Sequence, residues 1–273
     1  MSLPPDISPL FLSKLTNTAI LTAQQVGHFL KNAFYTNTCE ISYKEEGRHN
    51  LVTQYDIQAE ALIISSIKKQ FPHHSFLGEE GGEKKGASND ILWIIDPIDG
   101  TVNFAHGIPF FSVSIAATFQ ENVLVGVVYS PITEELFVAE KQQGAYLNGS
   151  PLKVSSTSLL VDSLLVTGFP YCVQENPLHC IEHFVSLLRL GIPIRRLGSA
   201  ALDMAYVAAG RLDGFWEVSL QPWDFAAASL LIEEAGGFVS DYQKKPLSIT
   251  KSTPIVASNA LLHDQILQHL KVS

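Results

Sequence analysis

The sequence predicts a layered α/β fold in which helices alternate with β-sheets. Several segments repeat apolar residues at steps of three and four, which is typical of amphipathic helices. Other segments are rich in β-branched and aromatic residues, which is typical of strands. In the second half of the chain the two patterns alternate, as they do in layered α/β proteins. Hydrophobic residues make up 46% of the 273 residues, which is enough to fill the core that such layers enclose.

The first half of the chain begins with two predicted helices, over residues 9–33 and 56–69. In the second helix, the apolar face is predicted to hold Ile57, Ala61, Ile64 and Ile67. Residues 81–90 are polar without a period, so we expect a surface loop there. The strands predicted next are 110–119 and 122–129, which form a hairpin, and 136–141 and 144–147, which extend the sheet. Asn148-Gly149 predicts a tight turn.

A serine-rich stretch, residues 155–163, predicts a domain boundary near residue 155. We therefore expect an N-terminal half of residues 1–155 and a C-terminal half of residues 156–273. The elements predicted for the C-terminal half are strands at 164–167 and 192–197 and helices at 177–190, 199–209 and 224–235. The last of these helices is expected to close at Gly236-Gly237.

The charge balance excludes some function classes. With 18 basic and 27 acidic residues the net charge is −9, which argues against non-specific binding to nucleic acid or to a membrane surface. The sequence shows no export signal and no uninterrupted run of about 18 apolar residues. Cys39, Cys172 and Cys180 form no Cys-x-x-Cys pair, so free thiols in a reducing compartment are the simplest explanation. We expect a cytoplasmic enzyme.

The most informative segment is residues 93–104, Trp-Ile-Ile-Asp-Pro-Ile-Asp-Gly-Thr-Val-Asn-Phe. An apolar strand runs directly into Asp96 and Asp99, and the proline and glycine beside them turn the chain. Two close carboxylates repel each other unless a cation or a shared proton neutralises them, and hard oxygen ligands suit Mg²⁺ or Mn²⁺. The amides of Gly100 and Thr101 open a helical turn and could hold a phosphate.

An isolated Asp-x-x-Asp-Gly is more often a solvated turn. Here, however, three other segments also place an acid after an apolar run. These segments are residues 51–60, with Asp56, residues 76–82, with Glu79 and Glu80, and residues 221–228, with Asp224. Together with Pro109 to Ala116, Gly198-Ser199-Ala200-Ala201, Glu217 and Glu234-Ala235-Gly236-Gly237, they resemble the inositol monophosphatase family. This family lies within the magnesium-dependent, lithium-sensitive phosphatases, which also include fructose bisphosphatases and nucleotide bisphosphate phosphatases.

The resemblance implies an αβαβα sandwich of the inositol monophosphatase and fructose bisphosphatase type, a homodimer, and two or three Mg²⁺ ions that Mn²⁺ can replace. The first metal would be held by Glu79, Asp96 and the main-chain carbonyl of Ile98, and the second by Asp96, Asp99 and Asp224. A third, weaker metal would use Glu79. One ion would lower the pKa of a bound water and the other would shield the leaving oxygen. Lithium is expected to inhibit such an enzyme.

The catalytic residues implied are Glu79, Thr101 and Asp56. Thr101 and Glu79 would orient and deprotonate the attacking water, with Asp56 supporting Thr101 from behind. The substrate contacts implied are the Gly100 and Thr101 amides for the phosphate and Asp99, Gly198, Ser199, Ala200, Glu217 and Asp224 for the hydroxyls of a polyol. The expected reaction is release of phosphate from myo-inositol monophosphate or a similar polyol.

Ordinary structural roles are the alternatives for these polar residues. Asp56, Ser199 and Asp224 each stand where a helix N-cap is expected, Glu80 suits a solvated acid, and Glu217 suits a strand-edge charge. Two departures from the family pattern stand out. Val102 replaces a residue that is often threonine or similarly polar, and Lys44 lies one residue upstream of the expected basic position, so we leave it out of the site.

Other functions are weaker interpretations of the same chain. Asp96 and Asp99 are too far apart for the Asp-x-Asp-Gly-Thr motif of aspartyl-phosphate phosphatases. His179 and His183 belong to an H-x-x-E-H match of the inverted zinc-protease type, but no acid is distinguished as a third ligand. A non-catalytic interaction module on the same fold is a further alternative. A nucleotide 3′-phosphatase or fructose bisphosphatase remains open, since Arg195-Arg196 could receive a second phosphate.

Overall fold

The computed structural model of the chain describes residues 7–36, 41–43, 51–87 and 91–270. The helices are α1 Pro9–Thr36, α2 Gln54–Gln70, α3 Thr101–Ala105, α4 Cys180–Leu188, α5 Ala200–Ala208, α6 Pro222–Glu234 and α7 His263–His269. The first strands are β1 Ile41–Tyr43, β2 Leu51–Thr53, β3 Ser75–Gly78, β4 Gly82–Lys84, β5 Ile91–Asp99, β6 Ser112–Phe119, β7 Asn122–Ser130, β8 Glu135–Glu140, β9 Gly144–Leu147 and β10 Ser150–Pro151. The later strands are β11 Leu165–Thr167, β12 Ile194–Arg195, β13 Gly214–Leu220, β14 Phe238–Ser240 and β15 Thr253–Ser258.

Two large sheets organise these elements. The first has eight strands in the order β10-β9-β8-β7-β6-β5-β3-β4, and all its pairs are antiparallel except β3 with β5. The second has five strands in the order β12-β11-β13-β15-β14, with β12, β11 and β13 parallel and the other pairs antiparallel. Strands β1 and β2 form a separate antiparallel pair.

Helices cover both faces of both sheets. Buried side chains of α1 and α2 pack on one face of the first sheet. On its other face, α5 and α6 share a single core with the second sheet. Residues of α4 and α7 pack against the far face of the second sheet. The order is therefore helix, sheet, helix, sheet, helix, which confirms the predicted αβαβα sandwich.

Most predicted elements are present, and four details needed correction. Residues 82–84 of the expected surface loop form β4, an exposed edge strand whose side chains bury nothing and so leave no apolar period. The helix predicted at 177–190 begins only at Cys180, because Leu178 has a positive φ of 48°. The strand predicted at 192–197 is reduced to Ile194–Arg195.

The fourth correction concerns the apolar face of α2. Ile57 is 58% exposed and Ala61 is also exposed, whereas Ala59, Ile63, Ile64 and Ile67 are buried. Glu60 is buried on the same face as these apolar residues, so an acid shares the buried face of α2, which the predicted set did not include.

The domain boundary at residue 155 stays a prediction. The first sheet ends at Pro151 and the second begins at Leu165, but the two sheets share the core around α5 and α6. Cys172 and Cys180 are free thiols, and Cys39 and Lys44 lie outside the described residues. No helix within the described ranges is long and apolar enough to cross a membrane.

The approach of α6 to the first sheet depends on small residues. A Cβ placed on Gly126 of β7 would lie 2.3 Å from the backbone oxygen of Ala227. Because that atom is backbone, it can move only if the whole helix moves. The helix carries alanine at 226, 227 and 228, so the two backbones come close together.

We predict that Gly126→Ala destabilises the protein by about 1–3 kcal/mol, the usual range for overpacking a core. Urea unfolding of the variant and the wild type measures the difference. Asn122→Ala, at the exposed start of the same strand, is the control and should change the stability by less than about 0.5 kcal/mol. Equal stabilities for Gly126→Ala and wild type would contradict the close packing.

A buried histidine joins the ends of β14 and β15. Ring nitrogens of His263 lie 2.8 Å from the hydroxyl of Ser240 and 3.1 Å from that of Ser258, and Phe238 meets the ring edge to face. Burial lowers the pKa of His263 from 6.5 to about 4, because the charged form loses its water.

The sign of this shift sets a pH window. In the unfolded chain His263 takes up a proton below pH 6.5, whereas in the folded protein it does so only near pH 4, so its contribution to stability is lost as the pH falls through this range. Urea unfolding at several pH values should therefore show that His263→Gln loses less stability than wild type on acidification. His106→Gln, at an exposed histidine, should follow the wild type.

Candidate active site

The candidate site lies at the end of β5, a strand that is buried almost throughout. Its pairing with β6 shifts register between Asp96 and Asp99, so the chain bulges where the two acids stand. The carboxylate of Asp96 accepts a hydrogen bond from the amide of Ile98 at 3.0 Å. Gly100 then adopts a positive φ of 102°, and α3 begins at Thr101.

Three of the predicted acids lie at the first turns of helices. Asp56 is the third residue of α2 and accepts the amide of Thr53 at 2.7 Å, and Asp224 is the third residue of α6 and accepts the amide of Gln221 at 2.7 Å. Neither is therefore the N-cap residue, although both take part in capping. Asp99 accepts the first amides of α5. Helix N-termini favour negative charge, so this arrangement stabilises acids that burial would otherwise destabilise.

Asp99 is the most heavily hydrogen-bonded of these acids. Its carboxylate accepts the amides of Ala200 and Ala201 at 3.1 and 2.8 Å, the hydroxyl of Ser112 at 3.3 Å and the hydroxyl of Ser199. Ser199 occupies the N-cap position of α5, but its hydroxyl makes no capping bond to the helix and binds Asp99 instead. These contacts join the end of β5 to the start of α5.

Thr101 and Asp56 are in direct contact. The hydroxyl oxygen of Thr101 lies 2.9 Å from Oδ1 of Asp56 and 3.0 Å from the carbonyl oxygen of Ile98. The hydroxyl of Thr53 donates to the other oxygen of Asp56 at 2.6 Å. The structure thus brings together the pair that the resemblance requires, and the catalytic roles of the two residues stay predictions.

Glu79 reaches the site from the turn between β3 and β4. Its amide donates to the carbonyl of Ile95 at 3.3 Å. This bond continues the parallel pairing of β3 with β5. Glu80, the next residue, lies close enough for its charge to raise the pKa of Asp56.

The acids raise one another's pKa. Burial is the main reason that the pKa of Asp96 is well above its ordinary value, and the charges of Glu79, Asp99, Asp224 and Asp56 add to it. Burial, then Glu79 and Asp99, have the same effect on Asp224. Burial also raises the pKa of Asp99 and Asp56, to about 6 for Asp56, in spite of their hydrogen bonds. All these side chains therefore lie in one electrostatic environment.

The chemistry of this donor set suits a divalent cation. A buried group of mutually repelling carboxylates is stabilised by a hard cation, which removes the repulsion and replaces lost water. The side chains are not yet arranged as a metal site. In the described parts of the chain, no three His, Cys, Asp or Glu side chains are grouped so that they could hold a metal ion. The oxygens of Asp99 are directed to α5 and Ser112.

Two glycines position the predicted phosphate and polyol contacts. A Cβ on Gly100 would lie 3.1 Å from the carbonyl oxygen of Gly198, and Gly198 has a positive φ of 90°. The side chain of Asn103 fixes this contact by donating to the carbonyls of Phe110 and Leu197 at 2.7 and 2.8 Å. Residues 198–200 are thereby held beside the start of α3.

Glu217 lies on β13 with its carboxylate against the backbone of Gly168, where a Cβ would be only 2.0 Å from Oε2. Burial and the charge of Asp99 raise its pKa to about 8, and Arg196 partly offsets this. The guanidinium of Arg196 stands 5.6 Å from the ring centre of Phe169.

Sequence reasoning missed three residues that shape the site: Glu60, Asn103 and Ser112. Asn103 was part of the most informative segment, and its position directly after the Gly-Thr turn was an available signal. Glu60 follows Asp56 by one helical turn and interrupts an apolar face, which marks a buried acid. Nothing in the local sequence marks Ser112, because its partner Asp99 is reached only through the pairing of β5 and β6.

The histidine motif does not form a metal site. His183 is buried and its ring nitrogens have no hydrogen-bond partner among the described residues. His179 is largely exposed at the residue before α4, where it faces Glu182 at 3.9 Å. One histidine thus points into the protein and the other lies at the surface.

The fold and the acid cluster define a class: an αβαβα protein with buried carboxylates at the end of a central strand. The inositol monophosphatase family model matches residues 12–273, and the chain belongs to this family of phosphatases. It is 45% identical over 228 residues to an inositol-1-monophosphatase from Synechocystis sp., covering 83% of this chain and 79% of that protein. It is 43% identical over 228 residues to Nus factor SuhB of Escherichia coli K12, covering 84% and 85%. The crystal structure of extragenic suppressor protein suhB from Bartonella henselae matches with a TM-score of 0.88 at 38% identity, covering 94% and 98%.

The raised pKa of Glu217 predicts a loss of stability with rising pH. Unfolded, the group ionises near pH 4.5, and folded near pH 8, so its contribution is present below pH 4.5 and is lost as the pH rises to 8. In urea unfolding with EDTA present, Glu217→Gln should gain stability relative to wild type over this range. Glu121→Gln, at an exposed acid, is the control. A constant difference between Glu217→Gln and wild type would contradict the shifted pKa.

Proposed function

We propose that this protein hydrolyses phosphate monoesters with the help of Mg²⁺. The observation that carries the proposal is the group of buried acids at the end of β5, which raise one another's pKa beside the Thr101–Asp56 contact. Membership of a phosphatase family supports it. Glu79, Asp96, Asp99, Asp224 and the carbonyl of Ile98 are the residues that would hold the metal.

Mg²⁺, which Mn²⁺ could replace, would supply a bound water of lowered pKa and positive charge near the leaving oxygen. Residues of the chain would orient the water, take up its proton and bind the phosphate. Thr101 has one hydroxyl proton and two acceptors for it, Asp56 and Ile98, so its oxygen stays available to orient a water molecule. Asp56, with a pKa of about 6, changes charge near neutral pH and can take up a proton through Thr101. The Gly100 and Thr101 amides would hold the phosphate.

We infer that the substrate is a polyol phosphate, with myo-inositol monophosphate as the first choice. Near Asp99, Glu217 provides carboxyl oxygens that accept hydrogen bonds, and Ser199 provides a hydroxyl. Such groups suit the vicinal hydroxyls of a polyol. The Synechocystis relative is named for this activity. Arg196 keeps fructose 1,6-bisphosphate and adenosine 3′,5′-bisphosphate as alternatives, because its guanidinium could pair with a second phosphate. We also propose a cytoplasmic homodimer that uses no nucleic acid or membrane partner.

A second candidate is a non-catalytic interaction module. The Escherichia coli relative is named as a factor and not as a phosphatase, which favours this alternative. If the protein is an interaction module, the acid group has no catalytic role. Metal-dependent phosphate release distinguishes the two candidates.

The test is phosphate release with Mg²⁺ from inositol 1-phosphate, fructose 1,6-bisphosphate and adenosine 3′,5′-bisphosphate in one buffer. We expect the highest kcat/KM for inositol 1-phosphate, loss of activity with EDTA and inhibition by lithium. Asp96→Asn should lower kcat/KM by at least about 100-fold, since losing a metal ligand costs no less than losing a group behind one.

Asp162→Asn is the matched control, because Asp162 is an exposed acid remote in sequence from the site, and it should retain full activity. Equal rates for wild type and Asp96→Asn on every substrate would favour the interaction module. A preference for either bisphosphate would replace the inositol assignment and leave the metal-dependent chemistry in place.

A further inference from the structure

Glu60 is a buried acid that the mechanism above does not use. It lies on α2 one turn after Asp56 and is only 3% exposed. Buried carboxylates are rare unless they are paired, so its partners indicate its purpose. Those partners lie in the turn between β3 and β4, which carries Glu79, and on β4 itself.

The side chain of Glu60 holds this turn through the turn's backbone amides. Its Oε2 accepts the amide of Glu80 at 2.8 Å and the amide of Gly81 at 3.2 Å. Its Oε1 lies 3.3 Å from the ammonium of Lys84, on the strand that leaves the turn. Hydrogen bonds to an ionised acceptor are stronger than neutral ones, and here they act on the residues that directly follow Glu79.

The glycines around Glu79 fit this carboxylate. A Cβ on Gly78 would lie 2.3 Å from Oε2 of Glu60, and a Cβ on Gly81 would lie 2.5 Å from Oε1. Gly81 does not have a positive φ, so its backbone conformation does not by itself require glycine. The sequence Gly78-Glu79-Glu80-Gly81 is thus shaped to admit Glu60.

The turn lies at an edge of the first sheet. It connects to β4, an exposed three-residue edge strand that, within the described part of the chain, pairs only with β3. The charges of Glu79 and Asp96 disfavour each other, which tends to push the turn away from β5. The rigid helix α2, which is anchored in the core by Ile63 and Ile67, opposes this through Glu60.

We propose that Glu60 is a positioning residue that holds the Glu79 turn against β5 and thereby sets the affinity of the site for a divalent cation. The inference rests on the proposed function in one respect, the assignment of Glu79 as a metal ligand. Groups behind metal ligands typically change metal affinity by about 10–100-fold when they are removed.

The first experiment uses metal-free protein, so it does not depend on the reaction. Amide hydrogen exchange by NMR should be at least about tenfold faster at Glu80 and Gly81 in Glu60→Gln than in wild type, because the amide side chain loses the charge that holds both N–H groups. Exchange in β6 should be unchanged. Gln58→Ala, at an exposed position of the same helix, is the control and should match wild type throughout.

The second experiment measures Mn²⁺ binding directly by calorimetry. Glu60→Gln should raise the Kd by about 10–100-fold, while KM for the substrate at saturating Mg²⁺ stays within about twofold of wild type. Lys84→Met keeps both backbone bonds and removes only a half-exposed ion pair, so it should change the Kd by about twofold or less.

Gly81→Ala disturbs the same contact by changing the turn instead of Glu60. It therefore tests the inference even if Glu60→Gln does not fold. Gly81 is exposed, and the added methyl group meets the ends of Glu60 and Lys84, so the chain should fold while the carboxylate is displaced. We expect the exchange and Mn²⁺ results of Glu60→Gln to be reproduced.

Unchanged exchange at Glu80 and Gly81, or a Kd within twofold of wild type, in both Glu60→Gln and Gly81→Ala would overturn the inference. A wild-type protein that binds no Mn²⁺ would overturn it together with the metal site. If wild type binds Mn²⁺ but releases no phosphate from any substrate, and both variants bind Mn²⁺ more weakly, the proposed function fails and the role of Glu60 stands.

Discussion

The structure depends on placing several carboxylates in one buried region, where loss of water and mutual repulsion both oppose their charge. The protein offsets this cost locally by giving Asp56, Asp96, Asp99 and Asp224 backbone amides. Asp56 and Asp224 accept the amides at the starts of α2 and α6, and Asp99 accepts those of α5. Three helices thus begin at the site, and their N-termini provide partial positive charge where the acids meet. Burial and the remaining repulsion, which together raise the pKa of Asp96, are the basis for expecting a cation.

The layer order explains how these helices reach one point. Strand β5 lies inside the first sheet, with α2 packed on one face and α5 and α6 on the other. The acids therefore approach the end of β5 from both sides of the sheet. Close packing is needed for this, as the contact between Gly126 and Ala227 shows. A sheet with helices on one face only would leave Asp56 or Asp224 without a route to the site.

The sequence alone predicts the layers and the acids but not most of their partners. Periodicity identifies α1, α2 and the β6–β7 hairpin because their apolar faces are buried in the core. It misses β4, which buries nothing, and it wrongly assigns Ile57 to the core. Glu60 interrupts the apolar face of α2, but the sequence does not show that its partners lie in the distant turn after β3. The same limit applies to Ser199, whose position predicts an N-cap and whose hydroxyl binds Asp99 instead. The boundary at residue 155 and the catalytic roles stay predictions.

The two halves of the chain contribute different properties to the site. Most of the acids and the Thr101–Asp56 contact come from residues before Pro151, whereas Glu217, Gly168 and Arg196 come from the second sheet and the segments beside it. Glu217 requires glycine at position 168, and the cation of Arg196 partly offsets its raised pKa, so these three residues form one unit. A change in any of them alters the region proposed to receive the substrate without touching Asp96 or Glu79. We expect substrate preference to vary among chains with the same acid group, because Glu217, Gly168 and Arg196 are not among the proposed metal ligands, whereas Asp99 and Asp224 are assigned to both the metal and the polyol.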